Sequence, residues 1–207
     1  MTFVLSSYSF SMPRISDSRD RIVRSAATLF RRQGFAATGW RQVIAESSAP
    51  WGSQAHHFPG GKEQLAVDAL TGAAAEYEQM LRYAMSQHGP ADAVRMWTKV
   101  GARELERSGW ADGCPIATVA LETSAQSETI GAVCDRAFTS WRKVIAEALT
   151  AAGLSGDEAA DVALTVLAGI EGGLLLARAG RDGSALITVG QQLAGLIESR
   201  IAAVAGA

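Results

Sequence analysis

Residues 38–65 read TGWRQVIAESSAPWGSQAHHFPGGKEQL, and this stretch decides the fold. Trp40, Val43 and Ile44 recur at three- to four-residue spacing, so a short helix is expected over 40–47 with these side chains inward. Ser48-Ala49-Pro50 makes a turn. Pro50 suits the first turn of a following helix, because its missing N–H would be unpaired there anyway. A second short helix is expected over 51–57. Phe58 plugs the core beneath it, and Pro59-Gly60-Gly61 breaks the chain before a longer helix from Lys62. Two short helices across a tight turn form the helix-turn-helix pattern, whose second helix is small enough to enter a DNA major groove.

Working outward, a helix over 17–33 precedes this unit. Ser16 or Asp17 can cap it, and Ile22, Ala26, Leu29 and Phe30 share its inner face. Gly34 ends it, and Phe35 can fold back on its last turn. Downstream the pattern stays helical. Helices are expected over 62–87, ending near Gly89-Pro90, and over 91–107. After a loop over 109–115, Pro115 opens a helix to 124, and Ser127 caps one to 152. Ser155-Gly156-Asp157-Glu158 has the capping-box form ahead of a helix to 179. Asp182 can cap the last, to 204. No stretch reads as a sheet and none repeats. The fold class is all-α, with about nine helices.

The chain has 207 residues, 48% hydrophobic and 19% charged, enough to bury a substantial core. No apolar run reaches the roughly 18 residues of a membrane span, so no membrane partner is expected. Two cysteines, Cys114 and Cys134, make neither a disulfide framework nor a metal site, which fits a reduced cytoplasm. Residues 1–11, MTFVLSSYSFS, lack a basic stretch and a cleavage site, so neither a signal peptide nor an anchor is expected. They are expected to be flexible, with Met12-Pro13 an alternative start. The net charge of −2 hides an asymmetry: residues 1–62 carry eight bases and three acids, or +5, which leaves −7 for the rest. A basic head on an acidic body suits contact with phosphate, against the plainer alternative of chance clustering.

Reading DNA needs side chains that reach base edges and donors that grip phosphate. Ser53 and Gln54 lie on the second short helix. Gln54 is the better candidate for a base, since its amide can pair with adenine at two points; either residue can equally be plain solvated surface. Thr38, Arg41, His56, His57 and Lys62 are candidates for phosphate, and Lys62 stands at a helix N-terminus that itself favours an anion. His56 and His57 are neighbours and point apart, so they do not share a metal. Trp51 can face the groove or pack inward. No nucleophile-base pairing, metal-ligand spacing or phosphate loop stands out, and His88 is alone beside a helix end, so no catalytic residue, metal or cofactor is expected.

RDRIVRSAATLFRRQGFAATG at 19–39, the unit ending in HHF, and the lysine opening the next helix resemble the N-terminal domain of the TetR family of transcriptional regulators. TGWRQVI, AP-x-GS and HHFPGGKEQLA, with DGCPIATVALETSAQSE at 112–128, resemble the LmrA/YxaF-like group of that family. The resemblance implies an extension over 1–12, a DNA-binding domain over 13–62, and a ligand-binding and dimerisation domain over 63–207. It implies a homodimeric repressor on a pseudo-palindromic operator, released by a small, mostly apolar effector, with drug efflux or detoxification genes as targets. The chain departs from the family at two points. Relatives carry leucine-tyrosine before the paired histidines, where this chain has Gln54-Ala55, and often a basic residue where Trp51 stands. Losing these phosphate contacts implies a shallower salt dependence of DNA binding.

For the effector, aromatic and sulfur side chains gather at Tyr77, Met80, Met96, Trp97, Trp110, Phe138 and Trp141. Thr118, Glu122 and Glu171 can add polarity, and Cys114 sits at a helix mouth. The plain alternative is that these residues are core. The last two helices are apolar nearly all round, with Gly169, Gly172 and Gly173 allowing close approach. They are expected to pair with their copies, the alternative being a buried monomer core. The competing functions are a carrier or enzyme built on a helical bundle, and a regulator with a weakened head.

Overall fold

The computed structural model describes residues 18–206. The expectations for residues 1–11, the Met12-Pro13 start and a Ser16 or Asp17 cap lie outside the described residues. Eight helices follow in order: α1 (Ser18–Gln33), α2 (Trp40–Ser47), α3 (Ser53–His57), α4 (Gly61–Arg107), α5 (Pro115–Thr123), α6 (Glu128–Ala151), α7 (Gly156–Gly180) and α8 (Ser184–Ala205). Among the described residues there is no strand. The element α4 is broken at Gly89, whose φ of 71° and ψ of 165° are not helical. Pro90, which offers no N–H, follows it. Its two arms correspond to the separate helices expected over 62–87 and 91–107.

The periodic residues are inside. Ile22, Phe30, Val43 and Phe58 are buried almost completely and belong to one core cluster with Leu65 and Leu70 of α4. Burying each such side chain contributes roughly 1.5–3 kcal/mol. Gly34 ends α1 at φ 81°, a left-handed conformation. The cap expectations hold: the Ser127 and Ser155 hydroxyls accept from Ile130 and Glu158 N–H at 3.1 and 3.3 Å. Cys114 caps α5, its sulfur accepting from Ala117 N–H at 3.4 Å. Asp182 acts one residue ahead of the Gly183 N-cap, its carboxylate accepting the Ser184 N–H at 3.0 Å. One boundary moves. α3 starts at Ser53 rather than Trp51, because Pro50-Trp51-Gly52 closes a turn with Ser53 N–H on Pro50 C=O at 2.9 Å.

The body is a bundle of α4, α6, α7 and α8. Close approach in it is set by glycine. A Cβ on Gly190 of α8 would stand 1.9 Å from Thr98 Oγ1 of α4, and one on Gly173 of α7 would stand 3.2 Å from Leu186 of α8. Gly169 likewise faces Leu193, whereas Gly172 faces open space. Two of the three glycines expected to allow close helix approach therefore seat α8 on α7 within one chain. By length and composition α7 is apolar enough to cross a membrane, with a mean hydropathy of 1.7. That corrects the expectation that no segment would qualify. It packs between α6 and α8 and carries Asp157, Glu158, Asp161 and Glu171.

Candidate nucleic-acid interface and effector cavity

The head exposes a narrow surface at α2 and α3. Arg41, Trp51, Ala55 and His56 are exposed, with Trp51 at 56%. Ser53 is half-buried. His57 is also half-buried, its Nε2 2.7 Å from the Ser18 hydroxyl, a tie from α3 back to α1. Two expected contacts are corrected. Thr38 is buried, and its hydroxyl donates to Gly34 C=O at 2.7 Å, so it braces the turn rather than offering itself to phosphate. Gln54 has its Oε1 buried without a hydrogen-bond partner. Two-point pairing with adenine needs both amide atoms outside, so this conformation does not present it.

Lys62 is turned the same way. Its Nζ lies 4.2 Å from the Phe35 ring centroid and 3.5 Å from Ala36 C=O. Burial lowers its pKa, opposed by the charge of Glu122. Several head arginines also have internal partners. Arg19 pairs with Asp68 at 2.7 Å, Arg21 donates to Ser47 C=O at 3.1 Å, and Arg32 pairs with Asp112 at 2.9 Å. Part of the positive charge in residues 1–62 thus fixes the head to itself and to the body.

The end of α1 is bonded to the body at four points. Glu122 Oε2 of α5 accepts the N–H groups of Phe35 and Ala36 at 2.6 and 3.0 Å. Arg178 of α7 donates to Arg32 C=O at 2.6 Å. Gly113 N–H donates to Arg31 C=O at 3.2 Å. Asp112 holds Arg32 and lies 3.8 Å from Arg31. Gly34 suits this place, because a side chain would be strained at its positive φ and a Cβ would stand 2.0 Å from Glu122 Oε1, so the carboxylate would have to move.

Behind this junction lies a cavity of about 520 Å³ between α5, α6 and α7. Five of the expected effector residues line it: Cys114, Thr118, Glu122, Phe138 and Glu171. Tyr77, Met80, Met96 and Trp97 line a separate, tight apolar cleft of about 80 Å³ between the arms of α4. Trp141 lines neither; it is core, with its indole N–H on Ala74 C=O at 3.1 Å. The Trp141 ring is 5.4 Å from Tyr77 and 5.8 Å from Phe138, so it links the two hollows. Trp110 also lines neither, sitting after Gly109 with a φ of 68° in the loop before α5. A wider groove of about 610 Å³ beside the Gly89 break holds none of the expected residues, and Arg82 and Glu147 pair in its wall at 2.8 Å.

The polar lining of the 520 Å³ cavity comprises Cys114, Thr118, Glu122, Glu171 and Arg178. Burial raises the pKa of Glu171, opposed by the neighbouring Cys114 thiol. Burial, with the charge of Glu171, raises Cys114 well above an ordinary thiol. Burial also lifts Tyr77 to about 12 and Cys134 to about 11. Neither cysteine is a ready thiolate.

Residues 90–192 match the family described as transcriptional regulator LmrA/YxaF-like, C-terminal domain. The chain is 34% identical over 185 residues to the HTH-type transcriptional regulator YxaF of Bacillus subtilis, covering 89% of this chain and 97% of that one. It is also 34% identical over 183 residues to the HTH-type transcriptional regulator LmrA of the same organism, covering 88% and 97%. The chain belongs to the TetR family of transcriptional regulators. The fold agrees: a TetR transcriptional regulator from Legionella pneumophila superposes with a TM-score of 0.77 at 20% identity, over 87% of this chain and 97% of that one.

For a TetR-family regulator, the residue that sequence reasoning missed is Arg178. It lines the cavity and caps the carbonyl end of α1 at once. One signal was available: Arg178 follows Glu171 by two helical turns, so the two share a face of α7. The small wall residues Ala117, Ala120 and Gly172 carry no such signal.

Proposed function

We propose that this TetR-family regulator is a homodimeric, cytoplasmic repressor. In this reading residues up to 62 form the head and the rest the body, with α4 running from one into the other. Each head lays α3 in a major groove of a pseudo-palindromic operator, and a small, mostly apolar effector in the 520 Å³ cavity favours a head arrangement that no longer fits. The observation that carries this reading is the bonding of the cavity's own wall, through Glu122 and Arg178, to the end of α1. Dimerisation is supported by α7, where Leu164, Leu175 and Leu176 are 49%, 60% and 62% exposed. Ala168, Gly172 and Ala179 lie exposed among them, so an apolar stripe runs along the helix with no cover from its own chain.

A gel shift with the DNA upstream of the coding region tests the head. The expected result is a salt-sensitive, sequence-preferring complex. Its absence would favour a regulator with a weakened head, a reading that the inward Gln54 and the bare Ala55 support. Sedimentation at micromolar concentration tests the dimer, and a monomer alone would refute it.

A further inference from the structure

Glu122 belongs to two structures at once. Its side chain forms part of the cavity wall. One of its oxygens also accepts both N–H groups of the turn after α1, at 2.6 and 3.0 Å. Two successive backbone N–H groups converging on a carboxylate oxygen make a small anion cradle, and charge-assisted bonds of this kind are the stronger ones. The glycine at 34 leaves the space that the carboxylate fills.

The turn so held supports the DNA-facing parts. Thr38 N–H donates to Phe35 C=O at 3.2 Å, and the Thr38 hydroxyl donates to Gly34 C=O at 2.7 Å. Thr38 directly precedes Gly39, the N-cap of α2, which has no side chain with which to cap the helix. The ammonium of Lys62 rests on Phe35 and Ala36 at the start of α4. A displacement of the 34–36 turn therefore reaches both ends of the helix-turn-helix unit.

We propose that Glu122 is the positioning residue through which the cavity acts on the head: bulk in the cavity displaces its carboxylate from Phe35 and Ala36, and the released turn lets α2 and the start of α4 shift. This deepens the repressor reading, and only its DNA arm rests on that reading.

The test fills the cavity from its own wall, so that no effector need be known. Ala117→Phe places a ring inside, and Ala120→Phe does so from the next turn of α5. Amide exchange at Phe35 and Ala36 is followed in wild type, in Glu122→Gln, in each filled variant and in the doubles, with circular dichroism confirming helix content. Glu122→Gln keeps the side chain's shape and loses its charge. It is expected to speed exchange at these two amides by about tenfold or more, and filling is expected to do the same in wild type. Filling is expected to add little in the Glu122→Gln background, because partners in one network are not additive. Unchanged exchange in Glu122→Gln overturns the proposal, as does an equal effect of filling in both backgrounds. Affinity for the upstream DNA is expected to fall in parallel. If wild type binds no such DNA, the repressor reading fails while the exchange measurements still decide the role of Glu122.

Discussion

The face of the head turned toward the body and the face made by α2 and α3 are held by opposite means. Toward the body, the end of α1 meets a carboxylate, a guanidinium and a backbone N–H from α5, α7 and the loop between α4 and α5. On the other face, α3 has five residues, no buried member and no side-chain cap. Among its ties are the Ser18 hydroxyl on His57 and the packing of Phe58 beneath it. A segment with few buried apolar contacts opens most easily, and ligand-responsive parts of proteins are drawn from that end of the stability range. Rigidity at the junction and looseness at the reader make a head whose position is set from behind.

The largest way to break this contrast is Gly34→Ala. It forces an ordinary residue into a left-handed conformation and drives a methyl group into Glu122, so a loss of about 2–4 kcal/mol is expected in urea unfolding. In a Glu122→Ala background the same change costs clearly less; an equal cost in both would separate the glycine from the carboxylate. Gln54→Leu acts on the opposite face. It replaces a buried, unpartnered amide oxygen with hydrocarbon and is expected to stabilise the chain by about 1–2 kcal/mol. A destabilised Gln54→Leu would mean that the amide is paired after all.

A smaller effect comes from pH. The pKa of Glu171 is raised in the folded chain by burial, so ionising it costs more folded than unfolded. Its penalty is absent at pH below the ordinary glutamate range and grows as pH rises through the raised value. Denaturation midpoints of wild type are therefore expected to fall over that window relative to Glu171→Gln, and parallel profiles would remove the effect. Smallest for stability is Trp51→Lys at an exposed site, within about 0.5 kcal/mol. Its effect is on DNA, where one more neutralised phosphate steepens the logarithmic salt slope by about 0.9. An unchanged slope would show that residue 51 does not approach the backbone.

Much of the fold was legible because helices announce themselves locally. Ile22, Ala26, Leu29 and Phe30 repeat at helical spacing, and Ser127 and Ser155 cap three residues ahead of the N–H groups they bind. The family's motif residues were legible in the same way. The orientation of Gln54 was not, because residue type tells what an amide can bind and not which way a five-residue helix turns it. Nor was the division of the effector candidates into two hollows, since Tyr77 and Cys114 carry no mark of which neighbours they meet.

The sequence alone determined an all-α chain of about nine helices, two of which the structure joins end to end at Gly89-Pro90, together with the family and the basic head, all of which rest on spacings of a few residues or on composition. Only the tertiary structure decided how the cavity reaches the head. Glu122 meets Phe35 across 87 residues of chain and Arg178 meets Arg32 across 146. No local period encodes such pairs; they exist because α5 and α7 pack beside the end of α1, where two carbonyls and two N–H groups left over by a finished helix still need partners.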